Sequence, residues 1–320
     1  MRAIVVRRFG DPDVLGLEEW PQPAAGPGEV VVRLRAVGVN PVEAYIRSGG
    51  YAILPTLPYV PGTDGAGTVE AVGEGVRRLK VGDRVYVHAP GGTYAQAVAV
   101  PEGRAWPLPE TLTYEQGAAV GVPYLTAHRA LFTVGGAKSG EWCLVHGASG
   151  AVGVAAVQMA VAAGMRVLAT ASTPAGRRQA LADGAEAAFD HGEAEAIRAA
   201  TDGRGVDLVL EMAAHRSLGM DLGLLAPGGR VVVVGSRAPV EIVPRALMQV
   251  EGSVRAVLLH RATPAEYEAA HRAVTAGLRG GVLRPAVDRV LPLARAPEAH
   301  AAVLADGKVG KIVLDPDADA

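Results

Sequence analysis

Apolar and polar residues alternate over short stretches in the first third of the chain. Residues 29–36, 67–72 and 83–87 show this alternation, and each stretch predicts a β-strand. Pro-Gly and Gly-Asp pairs at 27–28, 61–62 and 82–83 are typical of the turns between strands. Little helical periodicity is visible before about residue 113, so this part of the chain predicts a mostly β domain.

Helical and strand patterns alternate after that point. Residues 114–133 predict a helix, with Pro123 as a kink or a helix start. Further helices are predicted at 152–163, 176–183 and 216–224. The predicted strands are 142–146, 166–170, 187–189, 207–211, 230–235 and 253–259. Runs such as Val231–Val234 are apolar on both faces, as buried parallel strands must be. The alternation therefore predicts an α/β domain with a doubly wound, six-stranded parallel Rossmann sheet.

The tail of the chain departs from this alternation. It predicts a helix at 264–276, a strand at 287–291, a helix at 296–304 and a strand at 311–314. We expect this segment to return and complete the first domain. The predicted catalytic or substrate domain therefore comprises residues 1–116 and 261–320, and the predicted dinucleotide-binding domain comprises residues 117–260.

Length, net charge and cysteine content exclude several classes of protein. A length of 320 residues suits two domains, and the formal net charge of -2 argues against a nucleic-acid binder that works by bulk electrostatics. One cysteine, Cys143, can form neither an internal disulfide nor a four-cysteine zinc site. The longest apolar stretch, 151–163, is too short to span a bilayer, and residues 1–10 lack an apolar run of signal length. We expect a soluble cytoplasmic protein without a membrane partner.

A glycine-rich turn between a predicted strand and a predicted helix is the sharpest local motif. Residues 144–153 read LVHGASGAVG. Glycines there let the backbone approach a pyrophosphate, and the helix N-terminus supplies free N–H groups and a favourable dipole. A glycine-rich turn that binds no nucleotide is the alternative. The predicted phosphate cradle consists of Gly147, Ser149, Gly150, Ala151, Val152 and Gly153.

The next strand indicates which dinucleotide binds. NAD sites usually present a carboxylate at its end, but residues 166–173 contain none. Ser172, Arg177 and Arg178 stand there instead, and a hydroxyl with a guanidinium suits a 2′-phosphate. The alternative is that both arginines are solvated helix charges. The pattern favours NADPH over NADH.

The motifs together resemble a known family. Residues 62–73 (GTDGAGTVEAVG), Val76 and residues 82–85 (GDRV) resemble the signature of the medium-chain dehydrogenase/reductase superfamily. Residues 37–49 (VGVNPVEAYIRSG), 116–127 (QGAAVGVPYLTA) and 146–150 (HGASG) are similar to the zeta-crystallin-like quinone oxidoreductases. The resemblance runs from residue 1 to about residue 314. It implies a GroES-like catalytic domain, NADPH-dependent quinone reduction, and a homodimer that pairs edge strand 253–259 of the cofactor domain.

The resemblance also implies a site without metal. Zinc alcohol dehydrogenases of the superfamily hold their catalytic metal with two cysteines and one histidine or a close variant. The matching positions here are Asn40, Thr63 and Val122. Val122 has no donor atom, and the other two are poor zinc ligands.

Residue roles follow from the resemblance position by position. Asn40, Tyr45 and Tyr51 match polar residues at the substrate and nicotinamide end of the binding site. The further positions matched to cofactor contacts are Thr126, His191, Val234, Gly235, Ser236 and Leu258. Asn40 is the only asparagine in the chain, and its amide can both donate and accept hydrogen bonds. The alternatives are that Asn40 caps a turn, that Tyr45 packs in the core, and that His191 is a surface histidine.

The expected reaction is hydride transfer from NADPH to a quinone. Such a step needs hydrogen-bond donors for the developing oxyanion, and the candidates are the Asn40 amide and the hydroxyls of Tyr45 and Tyr51. A quinone has a low barrier to reduction and needs no strong Lewis acid. One rival is a zinc-free enone or enoyl-thioester reductase. A second is a non-catalytic NADPH-binding protein with a structural or RNA-binding role, although the near-neutral charge speaks against RNA.

Overall fold

The structure is a computed structural model that describes residues 1–319. Within these residues the β-strands are β1 (Arg2–Val6), β2 (Leu15–Glu19), β3 (Glu29–Val39), β4 (Asp64–Val72), β5 (Arg84–His88), β6 (Ala97–Pro101), β7 (Ala105–Pro107), β8 (Trp142–Val145), β9 (Arg166–Thr170), β10 (Ala187–Phe189), β11 (Val206–Glu211), β12 (Leu225–Val233), β13 (Ser253–Ala256), β14 (Val287–Pro292) and β15 (Lys311–Asp315).

Helices connect most of these strands. The α-helices of the described chain are α1 (Pro41–Ser48), α2 (Tyr114–Ala118), α3 (Gly121–His128), α4 (Ala151–Ala162), α5 (Pro174–Ala182), α6 (Ala194–Ala199), α7 (Ala214–Leu222), α8 (Pro244–Val250), α9 (Pro264–Arg279) and α10 (Ala296–Leu304). Short 3-10 turns lie at Pro12–Val14, Glu102–Arg104, Leu259–Arg261 and Leu293–Arg295, and Arg129–Val134 forms a π-helix. No helix within residues 1–319 is long and apolar enough to cross a membrane.

The chain forms two compact units. Unit 1 comprises Met1–Val122 and the chain from Pro285 onward, and unit 2 comprises Pro123–Arg284. The sequence predicts boundaries after residues 116 and 260, so the second boundary lies 24 residues further along in the structure, at 284. The reason is that α9 packs against the π-helix of unit 2, where Arg129 Nη1 donates to Glu266 Oε2 at 2.6 Å.

Unit 1 is built on a seven-stranded sheet. The strand order is β14-β15-β3-β4-β5-β7, and β6 also pairs with β3. β15 pairs antiparallel with β3 and parallel with β14, so the tail returns to the first domain as predicted. Apolar side chains such as Val32, Leu34 and Leu314 form its core.

One α-helix lies within the mostly β part of unit 1. The sequence predicts little helix before residue 113, and α1 is the one α-helix that the described chain forms there. The sequence carries a local signal for the start of this helix. Pro41 occupies the first turn, and the Glu43 carboxylate accepts from the Asn40 backbone N–H at 2.8 Å. This helix start fixes Asn40 at the end of β3.

Unit 2 confirms the predicted Rossmann sheet. Its six strands are all parallel, in the order β10-β9-β8-β11-β12-β13. The predicted helix 114–133 is divided into α2, α3 and the π-helix. At Gly121 the chain passes so close to Asp64 that an added Cβ would lie 2.2 Å from its Oδ1, which explains why the helix does not run through.

Candidate active site

The glycine-rich turn after β8 has the shape of a phosphate cradle. Gly147 has a φ of +58°, which favours glycine, and a Cβ on Gly153 would lie 2.3 Å from the Gly147 carbonyl oxygen. A Cβ on Gly150 would meet only that carbonyl, at 3.4 Å, so space remains above the start of α4. The first N–H groups of a helix lack intrahelical acceptors. The turn therefore fits a pyrophosphate, and these residues would hold one.

Arginines approach the end of β9, where the adenosine ribose is expected. Ser172 and Arg178 are exposed. Arg177 is half-buried, and its Nη1 donates to the Ala171 carbonyl oxygen at 2.9 Å and lies 3.3 Å from Asp190 Oδ2. Asp190 is a carboxylate that the sequence prediction missed, because it follows β10 rather than β9. Its charge is offset by Arg177, whereas Arg178 forms no ion pair within residues 1–319.

The other predicted cofactor residues follow the carboxyl ends of neighbouring strands. Val234, Gly235 and Ser236 come directly after β12, and Leu258 comes two residues after β13 and is exposed. Because the strands are parallel, these ends share one edge of the sheet with the glycine-rich turn. The Val234 N–H donates to the Glu211 carbonyl oxygen at 2.8 Å, which ties this segment to β11. Thr126 lies in α3 and is buried.

A continuous hydrogen-bonded chain runs along this edge. Exposed His191 contacts Thr170 Oγ1 at 2.9 Å through Nδ1, and the same hydroxyl contacts His146 Nδ1 at 2.8 Å. His146 Nε2 lies 2.8 Å from Asp221 Oδ1. The Asp221 carboxyl lies close to that of Glu211, and a proton shared between them would join the two groups by a hydrogen bond. The Glu211 carboxylate also accepts from the Ala213 N–H. His146 is therefore the link between the surface and a buried acid pair.

This acid pair holds titratable protons. Glu211 and Asp221 are both fully buried, and His146 is almost so. Burial, with the hydrogen bond that a protonated Glu211 donates to Asp221, raises the pKa of Glu211 to about 7. Burial likewise raises the pKa of Asp221 to about 6 and lowers the pKa of His146. One nitrogen of His146 and one carboxyl oxygen each of Glu211 and Asp221 lie within 4.8 Å of one another. A proton shared between the two carboxyl groups removes the repulsion that two carboxylates would have at this distance.

Unit 1 contains a second polar cluster, centred on Glu43 at the start of α1. Its Oε1 accepts from Asn40 Nδ2, from the Thr63 N–H and from Thr63 Oγ1, each at 3.1 Å. Its Oε2 accepts from the Asn40 N–H and from the Tyr94 hydroxyl, each at 2.8 Å. That hydroxyl also lies 3.1 Å from His300 Nε2. Glu43 thus joins the three side chains of Asn40, Thr63 and Tyr94.

Asp64 and Lys311 complete this cluster. Lys311 Nζ lies 2.7 Å from Asp64 Oδ2 and 2.5 Å from Asn40 Oδ1. Asp64 also accepts from Asn40 Nδ2 at 3.0 Å and from the Val122 N–H at 2.8 Å. The three positions that match zinc ligands in the resemblance therefore converge on the carboxylates of Glu43 and Asp64.

Burial and charge act in opposite directions on these carboxylates. Burial alone would raise the pKa of Asp64, but the Lys311 ammonium and His88 hold it well below its usual range. Burial raises the pKa of Glu43 despite the charge of Lys311 and the hydrogen bonds from Asn40. Burial, with the charge of Arg47, lowers the pKa of His300 to about 3 and keeps its imidazole neutral.

The three predicted catalytic residues differ in their surroundings. Asn40 is 3% exposed, and its amide is used within the cluster by Glu43, Asp64 and Lys311. Tyr45 and Tyr51 are half-buried on α1 and just after it. Among the hydrogen bonds of residues 1–319, none involves either tyrosine hydroxyl, so both remain available to a ligand.

Sequence reasoning missed Glu43, Asp64, Tyr94 and Lys311 as members of this cluster. Glu43 carried a signal, because Asn-Pro-x-Glu predicts a capped helix start. Lys311 carried none, since 247 residues separate it from Asp64. Only the pairing of β15 with β3 brings them together.

Comparisons with known proteins agree with this architecture. Residues 26–110 match the model for alcohol dehydrogenase GroES-like domains, and residues 151–276 match that for zinc-binding dehydrogenases. A rat protein named quinone oxidoreductase is 44% identical over 320 residues, covering 98% of this chain and 97% of the relative.

Solved structures extend the similarity. The quinone oxidoreductase of Thermus thermophilus, solved also in complex with NADPH, is 40% identical with a TM-score of 0.83, covering 98% of this chain and 100% of that one. An NAD-dependent alcohol dehydrogenase is 30% identical with a TM-score of 0.91, covering 98% and 99%.

Proposed function

The chain belongs to the quinone oxidoreductase family of the medium-chain dehydrogenase/reductase superfamily, and from that membership we propose that it reduces quinones with NADPH. The observation that carries the proposal is the full-length similarity to the rat quinone oxidoreductase. The site agrees with it, because the positions matching zinc ligands are occupied by Asn40, Thr63 and Val122, hydrogen bonded to carboxylates. An easily reduced acceptor suits such a site.

NADPH is the proposed reductant, and when bound it supplies the hydride. The turn from Gly147 to Gly153 would hold its pyrophosphate through backbone N–H groups. Ser172, Arg177 and Arg178 would bind the 2′-phosphate, with Arg178 contributing a charge that is paired with no carboxylate of the described residues 1–319. Thr126, His191, Val234–Ser236 and Leu258 are proposed as the remaining cofactor contacts.

The hydroxyls of Tyr45 and Tyr51 are the proposed donors to the quinone oxygen. They are half-buried and make no hydrogen bond within the described chain, so each can donate to an acceptor at no internal cost. Asn40 is proposed to fix the position of α1, which carries Tyr45, because its amide joins the start of that helix to Glu43, Asp64 and Lys311.

A homodimer and a cytoplasmic location belong to the same proposal. β13 is an edge strand of the six-stranded sheet, and Val254 on it is 37% exposed. Val243 and Met248 nearby are 69% and 73% exposed, so this edge offers apolar surface and unpaired backbone groups to a second copy. Light scattering at micromolar concentration should give a dimer, and Val254→Asp should give a monomer. Val81→Asp, at another exposed valine, is the control.

Anaerobic turnover tests the reaction. Purified protein is supplied with NADPH or NADH and with a panel of quinones and linear enones. Faster oxidation of NADPH with quinones supports the proposal. Turnover with enones alone would assign alkene reduction instead, and NADPH binding without turnover of any acceptor would favour a non-catalytic role.

A further inference from the structure

Thr63 is the one member of the Glu43 cluster, among Asn40, Glu43, Thr63, Tyr94 and His300, that is only half-buried. It follows Gly62, whose φ of +93° and contact with Tyr94 leave no room for a side chain. This tight turn presents the Thr63 hydroxyl beside Asn40, with Oγ1 3.4 Å from Asn40 Nδ2. The hydroxyl therefore lies between the buried carboxylate and the accessible side of the cluster.

Glu43 can exist in two protonation states without losing a hydrogen bond. As a carboxylate it accepts from the Tyr94 hydroxyl at 2.8 Å. As a carboxylic acid it can carry its proton on Oε1 and donate it to Thr63 Oγ1 at 3.1 Å, since that hydroxyl can then turn its own hydrogen toward a ligand. Oε2 goes on accepting from the Tyr94 hydroxyl, which lies 3.1 Å from Nε2 of the neutral, buried His300. Tyr94 and His300 thus hold Oε2 in both protonation states, and the proton that Glu43 gains lies on the side of Thr63.

Opposing effects of the surroundings keep the carboxylate and the carboxylic acid forms of Glu43 close in free energy. Lys311 is a buried cation that favours the carboxylate, as do the hydrogen bonds from Asn40, whereas burial and the nearby charge of Asp64 favour the acid. The titratable groups that face Glu43 or its direct partners are Arg47, Tyr59, Asp64, His88, Tyr94, His300 and Lys311. Glu43 is therefore placed to take up and release a proton during a reaction.

We propose that Thr63 is the catalytic residue that delivers a proton to the reduced quinone, and that Glu43 supplies that proton through the Thr63 hydroxyl. The inference rests on the proposed function. Hydride transfer adds two electrons and one proton to the quinone and leaves an oxyanion. The Thr63 hydroxyl gives its proton to that oxygen while it receives one from Glu43, 3.1 Å away. Glu43 becomes a carboxylate and regains a proton from water through Thr63, so each cycle consumes one NADPH, one quinone and one proton.

The test compares Thr63→Val with Thr63→Ser. Valine keeps the shape but removes the hydroxyl, so kcat with a quinone should fall by about a hundredfold or more, in line with the contribution of a general acid. The KM for NADPH should change by less than about twofold. Serine should restore kcat and the solvent deuterium isotope effect, which Thr63→Val should lose. Thr68→Val is the control, since the Thr68 hydroxyl bonds Tyr114 at 3.0 Å, away from the Glu43 cluster.

Glu43→Gln provides a second test if valine at 63 lowers the melting temperature. Glutamine keeps the cap of α1 but cannot store a proton, so kcat should fall with an unchanged NADPH affinity. Thr63→Val and Glu43→Gln together should be no slower than the slower single variant. Turnover by Thr63→Val within about threefold of the parent would overturn the inference and leave quinone reduction intact. Absence of quinone turnover in the parent protein would instead overturn the proposed function.

Discussion

His146 Nε2 lies 2.8 Å from Asp221 Oδ1, at the end of a hydrogen-bonded chain that begins at exposed His191. The chain gives a buried acid pair, Asp221 and Glu211, a route to the protons of the solvent. It also runs beneath the strand ends at which the cofactor is expected. A proton change in the pair can therefore be measured both in stability and in cofactor binding.

Protons on this pair should make part of the stability depend on pH. The folded pKa values of Glu211, about 7, and Asp221, about 6, lie above the unfolded values. Their stabilising contribution is therefore complete at low pH and is lost as the pH rises through those folded values. His146 acts in the opposite sense, because burial lowers its pKa. Comparison of the parent with Asp221→Asn separates the contribution of the acid pair from that of His146, because the variant has lost one of the two acids.

Urea unfolding of the parent and Asp221→Asn between about pH 5 and pH 8 measures this effect. The variant should gain on the order of 2 kcal/mol relative to the parent as the pH rises, since one unit of pKa shift corresponds to about 1.4 kcal/mol. A difference that stays constant over this range would show that the pair does not titrate.

Breaking the buried ion pair in unit 1 should destabilise the protein strongly. Lys311→Met leaves the Asp64 carboxylate buried without its cation, which costs about 3–5 kcal/mol in comparable pairs. The double variant Lys311→Met, Asp64→Asn removes both charges and should recover most of that loss. Denaturant unfolding measures each free energy. Equal stability of the single and double variants would contradict the pairing.

Two glycines of the cradle should separate folding from cofactor binding. Gly153→Ala forces a Cβ to 2.3 Å from the Gly147 carbonyl oxygen, so the melting temperature should drop. Gly150→Ala meets no atom closer than 3.4 Å, so the fold should be preserved while the new methyl group fills the phosphate space. Its NADPH affinity should fall by about tenfold or more, as expected when charge-assisted hydrogen bonds are lost. Unchanged NADPH affinity in Gly150→Ala would place the pyrophosphate elsewhere.

The arginines after β9 should set the preference for NADPH. Arg178→Ala should weaken NADPH binding by about tenfold and leave NADH binding unchanged, because only NADPH carries the 2′-phosphate. Asp190→Asn should strengthen NADPH binding, since it frees the Arg177 guanidinium from a carboxylate 3.3 Å away. Fluorescence titration with both cofactors measures these changes. Arg166→Ala, an exposed arginine paired with Glu186, is the matched control.

Removal of the two unpaired tyrosine hydroxyls should slow the reaction itself. Tyr45→Phe with Tyr51→Phe should lower kcat for quinones by about tenfold to a hundredfold, because donors to a developing oxyanion act mainly in the transition state. Stability should hardly change, since neither hydroxyl has a partner within residues 1–319. Tyr114→Phe, whose hydroxyl bonds Thr68, serves as the control. Full activity of the double variant would remove both hydroxyls from the mechanism.

Regular elements of unit 2 could be predicted closely from the sequence. Apolar runs such as residues 207–211 and the glycine turn after β8 carry local information, and β9 and β10 have the predicted bounds. Element ends were harder: β12 begins at Leu225 rather than at residue 230, and β13 ends at Ala256 rather than at 259. Periodicity identifies the middle of an element better than its ends.

The polar clusters could be predicted only in part. Asn40 and Thr63 were singled out by resemblance, but their partners Lys311 and Tyr94 come from distant parts of the chain. The acid pair of Glu211 and Asp221 likewise depends on how α7 packs beside β11 and β12. Such juxtapositions arise from tertiary structure, and no periodicity or local motif encodes them. The predicted site residues themselves stay predictions until the variants are measured.

The position of β15 has a consequence for how the protein is made. Unit 2 is one continuous stretch, from Pro123 to Arg284, and the ribosome completes it before Lys311 is added. Unit 2, the Rossmann domain, can therefore fold while synthesis of the rest of the chain continues. The sheet of unit 1 stays incomplete until β15 has been synthesised, because one edge of β3 has no partner strand before then. Asp64 lacks its cation, Lys311, for the same time. A nascent chain stalled before residue 311 would thus combine a folded Rossmann domain with an unfinished sheet in unit 1.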